Sequence, residues 1–347
     1  HGSAGGTDNT RAFQAAIDYC LSDPASPRRL FVPAGIYRIA STLMLAKGTA
    51  PGVPPVGYTH ASMEIFGEKR NIGKTEDTVL YADFDRAPAL AIQGGQGVRI
   101  KDIGFHGVND WFDTWDLNSA YVPPNNIKVT DDSYLLKDKY NESGISGDEN
   151  CVDTLHAPYA AIAIDPFSLG QSYTPLDPST VYQGLMGYYV SGPSVQSTSI
   201  SIEGCSFSRF IVGIVISPTG LDANAEDISI RDCSFTNNKI AIASGQSQAR
   251  NFNIENITVF GAQFCFDTRT YGNGRGVAPH VRGANIGATK YIFNIGTQGQ
   301  TVWFEHIYSE RCLGLGFIGA GSSSNEQGAH LVGCNFNFAQ SLPAIDT

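Results

Sequence analysis

The chain has 347 residues, with 33 acidic against 23 basic side chains, a net charge of −10 and only 16% charged residues. That length can bury a large core without a disulfide scaffold, and so acidic a balance argues against nucleic acid as a partner. No apolar run approaches the roughly 18 residues of a membrane span, so membrane insertion is not expected, and no signal-peptide pattern follows His1.

The first readable element is "DNTRAFQAAIDYC". Phe13, Ala16, Ile17 and Cys20 recur at helical spacing, with Asp8 or Asn9 placed to cap, so an amphipathic helix is expected over residues 9–21. "RRLFVPAGIYRI" and "MEIFGEKRNIGKTEDTVL" follow. The second holds a decoy: "GEKRNIGKT" puts five residues between Gly67 and Gly73, where a phosphate-binding loop needs four, and a turn before a strand at Thr78–Tyr81 is the better reading. "GVRIKDIGFHG" then introduces a phrase that returns as "SISIEGCSFS", "DISIRDCSFT" and "NFNIENITVF".

Aligned on the central aliphatic, the later copies give Ile202, Ile230, Ile254, Val281, Phe304 and Leu331, with differences of 28, 24, 27, 23 and 27. Ile100 is the earlier equivalent. The pattern is apolar-x-apolar-x-x-apolar-x-apolar, a short strand, a two-residue corner and a second strand. A further alternating run follows each copy, which describes one coil of a solenoid. The second corner position reads Asp102, Gly204, Asp232, Asn256, Gly283, His306 and Gly333, a set biased to residues that tolerate left-handed backbone. The next position reads Ile103, Cys205, Cys233, Ile257, Ala284, Ile307 and Cys334, an expected interior column in which the cysteines are reduced and buried. Seven cysteines without CxxC or Cys/His spacing argue against a zinc site.

The opening segments, taken with "GVRIKDIGFHG" and the later coils, resemble the pectate-lyase superfamily of right-handed parallel β-helices, in the branch shared by polysaccharide-degrading enzymes and phage tailspikes. The resemblance covers residues 1–107 and about 195–338. It implies an all-β chain forming a single right-handed parallel β-helix domain over 1–347, with the helix capping its open end. Residues 108–195 would be an irregular insertion or side wall, and 196–338 the regular coils. It also implies a polysaccharide or surface glycan as ligand, an extracellular or virion-tail setting and, in viral members, a homotrimer. The paired Asp followed by G-H-G of polygalacturonases is absent; "FHG" at Phe105–Gly107 is only a fragment of it.

Candidate site residues fall in three places. The aromatic-rich segment from Val108 offers Trp111 and Trp115 to sugar rings, and "APYAAIAIDPF" within it reads as a return to a coil strand through Ile162 and Ile164. The outward position before the central aliphatic reads Asn253, His280, Trp303 and His330 on neighbouring coils, a sugar-binding strip with Trp303 as stacking platform. The next outward column alternates in sign, from Lys101 and Glu203 to Arg282 and Glu305, which reads as structural. "FDTRTYGNGRGVAPH" gathers Asp267, Arg269, Tyr271, Arg275 and His280, and the next coil adds Glu305 and His306.

Two chemistries remain open on these residues. Glycoside hydrolysis would use two carboxylates from Asp165, Asp267 and Glu305. Lyase chemistry on a uronate would use Arg269 or Arg275 to neutralise charge and Tyr271, His280 or His306 to move protons. No cofactor is required, although Asp110, Asp113 and Asp116 offer oxygen ligands for calcium. The expected function is cleavage of an extracellular or cell-surface glycan; the alternative is a tailspike-type receptor-binding protein with little or no turnover.

Overall fold

The computed structural model describes residues 6–22, 28–45, 62–68, 77–84, 88–108, 159–165, 197–216, 225–244, 249–268, 277–295, 302–318 and 329–338. Among them one helix, α1 (Thr10–Leu21), precedes strands that pair only in parallel with strands one coil away. Each coil has three faces. The first face takes Arg29–Val32, Glu64–Gly67, Arg99–Lys101, Thr198–Glu203, Glu226–Arg231, the leading halves of Ala249–Phe260 and Val277–Gly287, then Val302–Glu305 and Ala329–Val332, which number coils 1 to 9. The second face takes Gly35–Ile39, Thr78–Ala82, Gly104–His106, Ser206–Ser208, Ser234–Thr236, the trailing halves of the two long strands, Tyr308–Cys312 and Asn335–Phe338. The third runs from Leu43–Leu45 through Ala160–Ile164 and Val212–Ile216 to Gly314–Ile318. The winding is that of a right-handed parallel β-helix.

The repeat read from the sequence is the register of this helix. Ile100, Ile202, Ile230, Ile254, Val281, Phe304 and Leu331 are successive partners on the first face. The first six of these are buried, and Phe105, Phe207 and Phe235 stack along the interior of the second face at 5.6 and 4.9 Å between centroids. Burying such a ring fully is worth about 1.5–3 kcal/mol. The expected interior column is present through coil 8, with Ile103, Cys205, Cys233, Ile257, Ala284 and Ile307 buried, whereas Cys334 in coil 9 is only half-buried; the described cysteines are free thiols.

All seven corner residues take left-handed φ angles, from 51° at Asn256 to 68° at Gly283. The turn directs each corner N–H along the helix axis, so Asp102 N donates to Glu203 O, Gly204 N to Arg231 O and Asp232 N to Glu255 O, tying each coil to the next. Side chain and glycine alternate where space demands it. A Cβ on Gly283 would stand 2.8 Å from Asn256 Oδ1, and one on Gly333 would stand 2.8 Å from His306 Nδ1.

Coils 1 and 2 precede the copies that the repeat alignment identified. Coil 3 is split: its second-face strand ends at His106 and its third-face strand begins at Ala160, where Ala160–Ile164 pairs with Leu90–Ile92 and Val212–Ile216. Tyr159 Oη accepts from Val108 N at 2.7 Å, holding the two ends of the excursion together. Residues 109–158 and 166–196 of the expected insertion lie outside the described residues.

Helix α1 packs on coil 1 through Ile17, Cys20 and Leu21. Gln14 supplies both halves of a peptide-like pair to Met44, its Nε2 donating to Met44 O at 2.9 Å and its Oε1 accepting from Met44 N at 2.8 Å. Asn9 is the N-cap residue but makes no side-chain capping bond; Asp8 Oδ1 instead accepts from Thr10 N. No described helix is long and apolar enough to cross a membrane.

Candidate functional site

Strand alternation sends every second residue of the second face outward, and parallel register stacks equivalent residues into columns. One column runs Ile36, Val79, Gly104, Ser206, Ser234 and Thr258; the next runs Arg38, Tyr81, His106 and Ser208. These columns floor an open cleft of about 1050 Å³ that extends over coils 1 to 6. Five rises of about 4.8 Å give it a length of roughly 24 Å. One rim is the first-corner column, with Asp102, Gly204, Asp232 and Asn256, and the other carries Gly107, Val108 and Arg209.

The floor is chemically mixed in an ordered way. Hydroxyls of Ser206, Ser234 and Thr258 follow one another along the axis beside the corner Asp and Asn residues, giving donors and acceptors at coil spacing. Toward coil 1, Arg38 Nε is held 2.6 Å from Asp83 Oδ2. Between them Tyr81 and His106 stack at 5.7 Å and 25°, and His106 Nδ1 lies 2.7 Å from Ser208 Oγ. Burial, and then the positive charge of Arg209, hold His106 below the usual imidazole value of 6.5.

On the first face, the outward column read from the spacing is in register. Ser229, Asn253, His280, Trp303 and His330 are consecutive register partners. Trp303 is 42% exposed, but its ring lies 4.1 Å from that of His330 and within 8° of parallel, so one indole face is already covered. His280 Nε2 sits 3.2 Å from Glu305 Oε1. In the alternating column, Glu203 pairs with Lys101 at 3.5 Å and with Arg231 at 3.3 Å.

The structure does not assemble the three carboxylates considered for hydrolysis. Asp165 is 1% exposed and closes a turn, accepting from Gly94 N, Ser197 N and Ser197 Oγ at 3.0, 2.8 and 2.6 Å. Burial raises its pKa, with the Ser197 and Gly94 donors acting in the opposite direction. Asp267 is likewise 1% exposed, on the third face, where Asn294 Nδ2 donates to it at 3.1 Å. Glu305 stands on the first face of coil 8. A buried turn acceptor, a buried third-face residue and a partly exposed first-face residue do not share a substrate surface here. His306 is exposed at its left-handed corner, with its N–H donated to Val332 O. Arg269, Tyr271, Arg275, Trp111, Trp115 and the Asp110, Asp113 and Asp116 cluster lie outside the described residues.

The cleft residues were visible in the sequence without being read as a site. Asp102 and Asp232 stood in the corner column, where the backbone alone accounts for them, and His106 stood in the "FHG" fragment. Only the column alignment of "GFH" with "SFS", two residues past the corner, would have set His106 beside Ser208.

The chain is thus a parallel β-helix with an open cleft along its second face. No family model and no curated protein matches it. Among solved structures it is similar to a putative glycosyl hydrolase from Parabacteroides merdae, at 13% identity over 96% of this chain and 93% of that one, with a TM-score of 0.33. It is similar to the tailspike protein of Acinetobacter phage vB_ApiP_P1 at 11% identity over 97% of this chain and 57% of that one, TM-score 0.40. The endo-xylogalacturonan hydrolase from Aspergillus tubingensis matches at 11% identity over 97% and 91%, TM-score 0.43.

Proposed function

We propose that the protein binds an extended glycan along the second-face cleft and hydrolyses it between Asp102 and Asp232. The observation that carries this reading is the cleft itself, long and open, floored by hydroxyls at coil spacing and edged by two corner carboxylates. A linear polyol can lie along such a groove and meet the same polar groups repeatedly. Two carboxylates on one rim, separated by the glycine of the intervening coil, supply the acid and base that inverting hydrolysis needs. An extracellular or virion-borne setting suits a ligand of this kind.

The test is a panel of neutral and uronate-containing polysaccharides, followed for binding, for new reducing ends and for ultraviolet absorbance of a new double bond. Reducing ends without the absorbance are expected, and Asp102→Asn and Asp232→Asn should each suppress them. Absorbance would replace hydrolysis by lyase chemistry. Binding without turnover would make the cleft a receptor site of the tailspike kind, and a panel with no bound member would overturn the glycan reading altogether.

A further inference from the structure

We propose that Ser208 and His106 form an acyl-transfer dyad on the cleft floor, and that the protein hydrolyses small O-acyl esters carried by a polyol ligand. The two residues occupy equivalent outward positions on adjacent coils, register partners on the second face. Their reactive atoms, Ser208 Oγ and His106 Nδ1, are 2.7 Å apart, within the reach that marks a nucleophile and its base. His106 supplies the only imidazole that lines the cleft among the described residues. Further along the same outward column, coil 5 places Thr236, which is no base, next to Ser208.

A base must also be oriented and unprotonated. The stack on Tyr81 holds the imidazole plane from the coil 2 side, while Ser208 takes Nδ1 from the coil 4 side. A phenol, a hydroxyl and a guanidinium, from Tyr81, Ser208 and Arg209, act on His106. Burial and that cation both disfavour the imidazolium, so the ring is neutral at neutral pH and competent to accept a proton.

With the proton on Nε2, Ser208 Oγ–H donates to Nδ1. Oγ attacks the acyl carbonyl carbon as Nδ1 takes the hydroxyl proton, forming a tetrahedral intermediate whose oxyanion would be stabilised by the guanidinium of Arg209 from the adjoining rim. Collapse breaks the bond to the alcohol oxygen, which leaves with the proton from His106. Water, deprotonated by the same nitrogen, then attacks the acyl-serine; collapse breaks the bond between the acyl carbon and Ser208 Oγ, which regains its proton from His106 Nδ1 as the carboxylic acid departs. No oxidant, reductant or metal enters this balance. The polyol half of the substrate rests on the glycan reading above; the acyl step does not.

The experiment follows 4-nitrophenyl acetate hydrolysis by the intact chain and treats it with phenylmethylsulfonyl fluoride, mapping any adduct by peptide mass spectrometry. Turnover above buffer and an adduct on Ser208 are expected. Ser208→Ala should fall to background, and His106→Phe, which keeps the ring stack, should lose about 10²- to 10⁴-fold. The wild-type rate should rise with pH at a midpoint below 6.5, tracking a depressed imidazole. Melting temperatures within a few degrees of wild type exclude misfolding, and the Ser208 adduct needs no variant at all. Absence of both turnover and adduct, or undiminished turnover by Ser208→Ala, overturns the dyad. Ester hydrolysis with no glycan bound would overturn the glycan reading alone, and glycan binding without ester turnover or adduct would overturn the dyad alone.

Discussion

Hydrolysis between Asp102 and Asp232 predicts inversion at the anomeric carbon. Corner N–H groups hand hydrogen bonds from coil 3 to coil 4 and from coil 4 to coil 5, so these two residues stand two rises apart, with Gly204 between them. Two rises of about 4.8 Å put their backbones roughly 9.6 Å apart. Side chains leaning toward a common substrate would bring the two carboxyls inside the range of about 6.5–9.5 Å that admits a water opposite the leaving oxygen. Retention requires about 5–5.5 Å, which only neighbouring coils would provide, and the neighbour is a glycine. The assay is proton NMR of the product anomer in the first minutes, before mutarotation. Asp102→Asn and Asp232→Asn should each lower kcat by about 10²- to 10⁴-fold, or roughly 2.7–5.5 kcal/mol of transition-state stabilisation. Retention of configuration, or either variant at wild-type rate, would refute the reasoning.

Other consequences concern the scaffold. Phe207→Ala removes the middle ring of a buried stack and should cost about 3–5 kcal/mol, read by chemical denaturation. Gln14→Leu leaves the Met44 N–H and C=O without their side-chain partners at the edge of coil 1 and should cost about 2–4 kcal/mol; a variant as stable as wild type would dismiss the amide pair as incidental. Trp303→Ala should lose under about 1.5 kcal/mol, since it removes one half-exposed stack, and should leave cleft binding unchanged. The folded pKa of Asp165 is raised, so its contribution to stability is full below about 3.8 and is lost as pH rises through the folded value. Asp165→Asn, lacking that proton, should show a smaller fall in Tm between about pH 4 and 7 than wild type does.

The solenoid was legible because its constraint is local and repeated. A left-handed corner excludes most residue types, so Gly204, Asp232, Asn256 and Gly283 announce it without any tertiary information. Coils 1 and 2 were harder to place because their corner is disguised. Gly67 aligns with the corner column in coil 2 but ends a strand without taking the left-handed turn, and "EKRNIGKTED" separates the two strands that other coils join directly. The first-face strip was readable for the same reason as the corners, since Asn253, His280, Trp303 and His330 hold one offset from a visible landmark. What could not be read was which outward columns border a concavity. That depends on how three faces meet and on what covers them, and Asp165 and Asp267, candidates by residue type, are buried.

The corner column joins the fold to its proposed chemistry. A β-helix needs small polar residues or glycine at that position because only they accept the left-handed turn at low cost. The same residues project between the first and second faces, at the rim of the cleft, where Asp and Asn are acids and hydrogen-bonding groups as well as turn formers. Substitution within the column therefore moves among Gly, Asn and Asp at little expense to the backbone while changing what the rim can do. Asp102, Gly204, Asp232 and Asn256 are four consecutive choices from that short menu, and their order alone sets the spacing of the two carboxylates. Exchanging Gly204 for Asp and Asp232 for Gly would retain a turn-compatible residue at both corners while bringing the acids to adjacent coils. On the reasoning above, that double variant keeps its coils and loses inverting activity; a wild-type rate with inversion would separate the rim from the reaction.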